Sequence, residues 1–462
     1  TMAESQKVFK TVNPTTEEEL AEYKVMQDEQ VDTILGQADE AQRSWRTFLL
    51  EQRSRYLDEL AGVLRAHKKE MGQLMAREMG KPVQQGEAEM EKCAWGCSFY
   101  AEHGPSFLAD EPVPREVKSS YVMYEPLGLV LSVMPWNYPF WQVFRFAAGA
   151  IMAGNGALIK HAPNTTGCGL AIERLFREAG FPEHLVRTLV VDVDQVPRII
   201  QDSRVQAVTV TGSTRAGQAV ASEAARNIKK SVLELGGSDP FIVLGDADLE
   251  RSIDTAAKAR MLNSGQSCIA AKRFIVAENL FEPFVEGLID RFSKLNMDDP
   301  LSGEADLGPQ ARGDLRDKLH RQVADSVKMG AKCHMGGAIS DDTGYFYPPT
   351  VLTNIEPDMP VYKQEVFGPV ATVVPFATEE EAVRLANDTP YGLGAAIFSS
   401  DTEKAEKMGR EQIAAGNCFI NDFVKSDPRI SFGGIKTSGY GRELGKAGIR
   451  EFTNLKTISV SD

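Results

Sequence analysis

The stretch AVTVTGSTRAGQAVASEAARNIKKSVLELGG, residues 207–237, runs from a β-branched segment through Gly212 and Ser213 into a helical pattern containing Gly217. It then enters a second apolar segment that ends at Glu234 before two glycines. Strand, tight turn, helix and strand in that order make a βαβ unit, and its two strands are parallel because the helix carries the chain back to the starting edge. The Gly212–Ser213 turn aims free backbone N–H groups and the positive end of the helix at one point, where a pyrophosphate can bind. The pattern is not G-x-G-x-x-G, and strand-turn-helix units with two glycines also occur without any ligand.

Outward from this unit the same rhythm continues. GALIKH (156–161), TTGCGLAIERLFREAG (165–180), RTLVV (187–191) and VPRIIQDS (196–203) alternate strand-like and helical pieces, which predicts a mostly parallel, doubly wound sheet. Residues 30–110 carry apolar positions at three- and four-residue spacing and read as helical, with Gly80, Lys81 and Pro82 ending one run. REVKSSYVMYEP (115–126) alternates as a strand does, and LGLVLSVMPW (127–136) is a short apolar run beyond a turn at Pro126 and Gly128. A second α/β stretch starts at SDPFIVL (238–244) and reaches about residue 430 through AAIFSS and NCFIND. A chain of 462 residues exceeds what one core holds, so several units are expected. The division reads as residues 1–112 and 127–235 for a cofactor-binding domain, 236–439 for a catalytic domain, and 113–126 with 440–462 for a bridging element.

Composition narrows the function. A net charge of −14 and a pI near 5.1, with no dense basic block, repel phosphate backbones and anionic membrane surfaces, so nucleic acid is not an expected partner. No apolar run of membrane-spanning length is present and TMAESQKVFK lacks a signal-like core, which points to the cytoplasm; Thr1 ahead of Met2 reads as a cloning remnant. The six cysteines are too scattered for a disulfide framework. Cys93 and Cys97 share a helix face with no second pair at zinc spacing, so they read as packed core thiols and no metal site is expected.

Within LNSGQSCIA (262–270), Cys268 sits between polar and small residues, unlike a core thiol. The pattern suggests a loop delivering the sulfur to a helix start, which would lower its pKa. Glu234, 34 residues earlier, is a carboxylate in apolar surroundings, suited to general-base work or, equally, to capping a domain junction. A cysteine hydrolase is a competing reading, but it needs a histidine base, and the six histidines (67, 103, 161, 184, 320, 334) sit in unremarkable contexts.

Six segments, MPWNYP (134–139), VTGSTRAG (210–217), LELGGSDP (233–240), GQSC (265–268), EVFGPV (365–370) and SFGGIKTSGYGRELG (431–445), resemble in order and spacing the signatures of the NAD(P)-dependent aldehyde dehydrogenase superfamily. The resemblance spans nearly the whole chain. It implies an α/β fold of a Rossmann-like cofactor domain, a catalytic domain and a small bridging β-hairpin. It makes Cys268 the nucleophile, Glu234 the base for the hydrolytic water and Asn137 the oxyanion-hole amide. NAD or NADP would be held by Trp136 and Lys160 on the adenosine side, by Gly212, Ser213 and Gly217 around the pyrophosphate, and by Glu365 and Phe367 at the nicotinamide ribose.

Where NAD-selective relatives place a ribose-binding glutamate, KHAPN (160–164) has Pro163, which implies tolerance of NADP. AAKRF (270–274) and KHAPN resemble the shorter bacterial Sad-type succinate-semialdehyde dehydrogenases, with Ala270 in place of a vicinal cysteine. That likeness assigns the substrate carboxylate to Arg145 and Ser426, with Trp141 one turn from Arg145 on the same helix face. A further arginine used by some relatives is replaced by Leu262, with Arg260 nearby. Strands 115–124 and 128–134, with the tail LKTISVSD, resemble the family's bridging hairpin and C-terminal strand, which implies a homodimer or homotetramer.

Overall fold

The computed structural model describes residues 6–462, so the reading of Thr1 and Met2 lies outside it. Four helices, Asp28–Trp45, Leu50–Ala66, Lys68–Met79 and Val83–Phe107, fill the N-terminal region. Gly80 ends the third of them with φ 79°, a left-handed cap that a residue without Cβ adopts freely. Cys93 and Cys97 lie buried on the inner face of the fourth. An antiparallel hairpin, Val8–Val12 with Glu19–Lys24, precedes them and was not expected from the sequence.

A six-stranded sheet has the order Gly439–Tyr440, Lys230–Glu234, Val205–Thr211, Leu129–Val133, Gly156–Lys160, Val186–Thr188, parallel except for the first strand. The chain enters at Leu129–Val133, adds two strands on one side and then returns to add two on the other. A topological switch point therefore lies between Leu129–Val133 and Val205–Thr211, where the loops leaving the two strands diverge and open a crevice. The switch point positions the site described below.

Leu129–Val133 is correspondingly a buried central strand, which corrects its expected place in a bridging hairpin. Its continuous apolar run suits a strand covered on both faces. The strand that pairs with Ser119–Pro126 is instead the tail, Thr453–Val460, antiparallel over its whole length, with Glu111–Pro112 on the other edge.

The second sheet has seven strands, Lys332–Met335, Thr350–Thr353, Val370–Phe376, Arg273–Ala277, Pro240–Val243, Gly394–Phe398 and Asn417–Ile420, all parallel but the first. Residues 235–239 connect the two sheets directly. The C-terminal ends of the first sheet and the N-terminal ends of the second thus meet at this connector, which follows directly on Glu234. Beside it runs the helix Trp141–Met152, all of whose residues are buried; apolar all round except for Gln142 and Arg145, it is a core helix. No helix among the described residues is long and apolar enough to cross a membrane.

Candidate active site

Two cavities, one of them lined by the connector, share two lining residues, Cys268 and Gln142. The larger, about 480 Å³, lies at the switch point. Its walls are Pro135–Asn137 after one strand, Thr211–Arg215 after its neighbour, Glu234–Gly236 from the connector, and Glu365 and Phe367 ahead of Val370–Phe376. The smaller, about 200 Å³, is lined by Lys92, Trp141, Arg145, Leu262 and Ser426 among others.

The loop that carries Cys268 is strained and braced. Asn263 and Ser264 take φ of 55° and 56°, and Gly265 follows at 75°. For residues with a Cβ this left-handed geometry costs about 1–3 kcal/mol each, and it persists only where the surroundings enforce it. Asn263 Nδ2 donates to the carbonyls of Asn137 (2.9 Å) and Gln266 (3.0 Å), tying this loop to the one after Leu129–Val133. Lys272, almost fully buried, donates from Nζ to the carbonyls of Ser267 (3.1 Å), Cys268 (2.9 Å) and Ala270 (3.3 Å). Gly237 supplies the floor, since a Cβ there would come 2.7 Å from the Cys268 carbonyl oxygen.

No helix starts at Cys268; the residues around it form turns leading into Arg273–Ala277, which corrects the expected helix-start stabilisation. Burial pushes the thiol up to about 11, against the pull of Arg145 and Lys272. Glu234 is buried, neither carboxylate oxygen has a hydrogen-bond partner among the described residues, and burial together with the charge of Glu443 holds it well above the usual carboxylate range. Asn137 donates from Nδ2 to the Gln266 carbonyl (3.2 Å), which leaves a second amide proton for the cavity.

The expected cofactor residues fall in three groups. Ser213 caps the helix Thr214–Arg226, accepting from Ala216 N–H at 3.2 Å, so the hydroxyl proton remains available at the helix N-terminus. Gly217 lets that helix close on Leu235, whose Cδ1 would lie 2.5 Å from a Cβ. Glu365 accepts from Gly237 N–H at 3.1 Å, and its other carboxylate oxygen would be 2.5 Å from a Cβ on Gly236. Trp136, expected on the adenosine side, lies edge-on to Phe367 with ring centroids 5.8 Å apart, and both line the larger cavity. Lys160 lines neither cavity; its Nζ donates to the His161 carbonyl, and burial brings its pKa down to about 8. The sequence reading also passed over Arg215, an exposed cation at the rim.

Of the expected substrate residues, Trp141 and Ser426 meet, the indole Nε1 donating to Ser426 Oγ at 2.9 Å. Arg145 lines the smaller cavity, but its Nε is ion-paired with Glu443, both nearly fully buried, and its guanidinium lies 4.6 Å over the Phe432 ring. Arg260 is turned away, donating to the carbonyls of Gly265 and Val366. Lys92 joins the set without having been signalled by any motif.

A dinucleotide fits the larger cavity. The cavity sits at a switch point, is closed by a capped helix N-terminus, and has unsatisfied buried polar atoms on Asn137, Gln142 and Glu234 in its walls. Among the described residues no group of three or more His, Cys, Asp or Glu converges as a metal site requires. No histidine lines either cavity, so a cysteine hydrolase would lack its base here.

Comparison with known proteins places these features in context. Residues 1–458 match the model of the aldehyde dehydrogenase family. A probable succinate-semialdehyde dehydrogenase (NADP+) of Synechocystis is 48% identical over 98% of this chain and 99% of its own length. The succinate semialdehyde dehydrogenase (NAD(P)+) Sad of Escherichia coli K12 is 45% identical, covering 97% of both chains. Among solved structures, the succinic semialdehyde dehydrogenase of Streptococcus pyogenes in complex with NADP+ superposes with a TM-score of 0.96 at 35% identity, over 98% of this chain and all of that one.

Proposed function

Since the chain belongs to the aldehyde dehydrogenase family, we propose that it oxidises succinate semialdehyde, or a similarly short aldehyde, to the acid with NAD or NADP. The observation that carries this reading is the position of Cys268 on the wall between two cavities, one sized for a dinucleotide and one for a small aldehyde. The likeness to succinate-semialdehyde dehydrogenases supports the substrate.

The chain's own groups account for the chemistry. The Cys268 sulfur, once deprotonated, adds to the aldehyde carbon. We assign the free amide proton of Asn137 and the Cys268 backbone N–H to the oxygen that gains charge, where one such donor is worth about 3–4 kcal/mol of the barrier. Bound in the larger cavity, NAD(P)+ supplies the hydride acceptor that converts the tetrahedral adduct to a thioester. Glu234 then takes a proton from water as the water attacks the thioester carbon, releasing the acid and returning the proton to sulfur. Burial and the neighbouring charge of Glu443 hold Glu234 well above the usual carboxylate range, which makes its carboxylate a stronger base toward water.

Pro163 presents no carboxylate to repel a 2′-phosphate, which supports use of NADP as well as NAD. A dehydrogenase for uncharged small aldehydes remains the second reading, favoured by the apolar walls of Leu262, Ile269 and Phe423. NAD(P)H formation across an aldehyde panel with both cofactors tests all of this. Succinate semialdehyde is expected to lead in kcat/KM, and a more than hundredfold preference for NAD would overturn the cofactor assignment.

We also place the enzyme in the cytoplasm, where its six free cysteines stay reduced. Strand Thr453–Val460 leaves Leu455 and Val460 exposed, an edge that a second copy can cover in a homodimer or homotetramer, to be read by light scattering.

A further inference from the structure

Three cationic side chains line the smaller cavity: Lys92, Arg145 and Lys425. Arg145 is ion-paired with Glu443, and Lys425 with Asp422 at 2.7 Å. Lys92 has no carboxylate within ion-pair distance among the described residues, although it is half-buried against apolar surface. The acidic residue in the same wall, Glu89, is already satisfied: one oxygen accepts from the Phe140 and Trp141 N–H groups at 3.0 and 2.9 Å, and the other is paired with Lys81.

The partners Lys92 does have are informative. Its Nζ donates to Ser426 Oγ at 2.7 Å and lies 4.7 Å over the Trp141 ring. Ser426 Oγ also accepts from Trp141 Nε1, at 2.9 Å. A hydroxyl has two lone pairs and one proton. Both lone pairs are occupied by groups that can only donate, so the Ser426 proton can only be given away, and it has no acceptor among the described residues. Lys92 retains further N–H groups of its own. One wall of the cavity therefore offers an uncompensated ammonium beside an obligate O–H donor, and it lacks the negatively charged acceptor both call for.

We propose that Lys92, together with the Ser426 hydroxyl, binds the distal carboxylate of the aldehyde substrate, and that Arg145, held by Glu443, acts on Cys268 through its charge and does not contact the substrate. The proposal rests on the reading that the substrate carries a carboxylate. It places the selecting charge on the helix Val83–Phe107, a different element from the one sequence reasoning pointed to.

Steady-state kinetics of the full-length enzyme at saturating NADP+, with succinate semialdehyde and with butyraldehyde, test it. Lys92→Met is expected to raise KM for succinate semialdehyde by about thirtyfold, the scale of one charge-assisted hydrogen bond, and KM for butyraldehyde by less than about threefold. Lys92→Arg is expected to restore most of the loss. Where the Met variant does not fold, Lys92→Gln removes the charge and keeps a donor for Ser426, with the same expected selectivity loss. Equal changes for both aldehydes would overturn the role of Lys92, as would a wild-type KM for succinate semialdehyde in the variants. A wild-type enzyme with no preference for succinate semialdehyde over butyraldehyde would instead overturn the substrate reading on which the proposal stands.

Discussion

The ammonium of Lys272 lies 2.9 Å from the carbonyl oxygen of Cys268 and also reaches the carbonyls of Ser267 and Ala270. A single buried cation thus gathers three backbone oxygens of the nucleophile loop and lowers the cost of a negative charge on the sulfur beside it. Lys272→Met removes both effects. It is expected to destabilise the fold by about 3 kcal/mol, because carbonyls are left without partners, and to lower kcat more than KM. Thermal unfolding combined with steady-state kinetics checks this; a variant with wild-type Tm and kcat would refute the bracing role.

Gly237 has a more local function. A Cβ at this position would come 2.7 Å from the Cys268 carbonyl oxygen and 3.1 Å from Asp239 Oδ1, so the loop must move. Gly237→Ala is expected to cut kcat/KM by about a hundredfold through misplacement of the sulfur, with a smaller effect on folding. Activity within twofold of wild type would show that the loop yields without consequence.

The cofactor-free thiol should be a poor nucleophile at neutral pH. Burial raises the Cys268 pKa to about 11, so the thiolate fraction climbs about tenfold per pH unit between pH 7 and 10. Iodoacetamide labelling of Cys268, followed by mass spectrometry, is expected to track that slope. A rate that levels off near pH 7 would show that Arg145 and Lys272 outweigh burial.

Lys92 gives substrate selection its own pH dependence. Burial first and Arg145 second bring its pKa down to about 8, opposed by Cys93, Glu89 and Asp427. The group is charged below that value and neutral above it. The ratio of KM for succinate semialdehyde to KM for butyraldehyde is therefore expected to stay flat below pH 8 and to rise above it. Taking the ratio cancels the titrations of Cys268 and Glu234, which affect both aldehydes. A ratio that stays flat to pH 9.5 would speak against Lys92 as the selecting charge.

What the sequence revealed follows from how local each signal is. Cys268, Glu234, Asn137 and Ser213 each sit in a short segment whose neighbours shape the backbone, and the structure brings all four to one cavity or its rim. The βαβ unit at 207–237 was readable for the same reason. The N-terminal hairpin was not, because VFKTV and ELAEYK are short and carry polar residues on both faces. The role of Leu129–Val133 was misread because an apolar run of five residues fits an edge hairpin and a central strand equally well until its partners are known.

The charges of the smaller cavity were the least accessible. Lys92 meets Ser426 across 334 positions of sequence, and nothing near Arg145 in the chain announces Glu443. A lone arginine in an apolar helix signals a nearby anion, but sequence cannot say whether that anion is substrate or protein. Cys268 was expected to be activated by a helix start; the structure has a strained turn around Asn263 and Ser264 there, and the charges that favour the thiolate come from Arg145 and Lys272.

The most direct test of the central claim is acid-quenched intact mass spectrometry of Glu234→Gln incubated with succinate semialdehyde and NADP+. Removing the base should stall the second half of the reaction. The expected result is a burst of about one NADPH per chain and a succinyl adduct about 100 Da in mass that maps to Cys268. Steady turnover at the wild-type rate with an unmodified Cys268 would contradict the account.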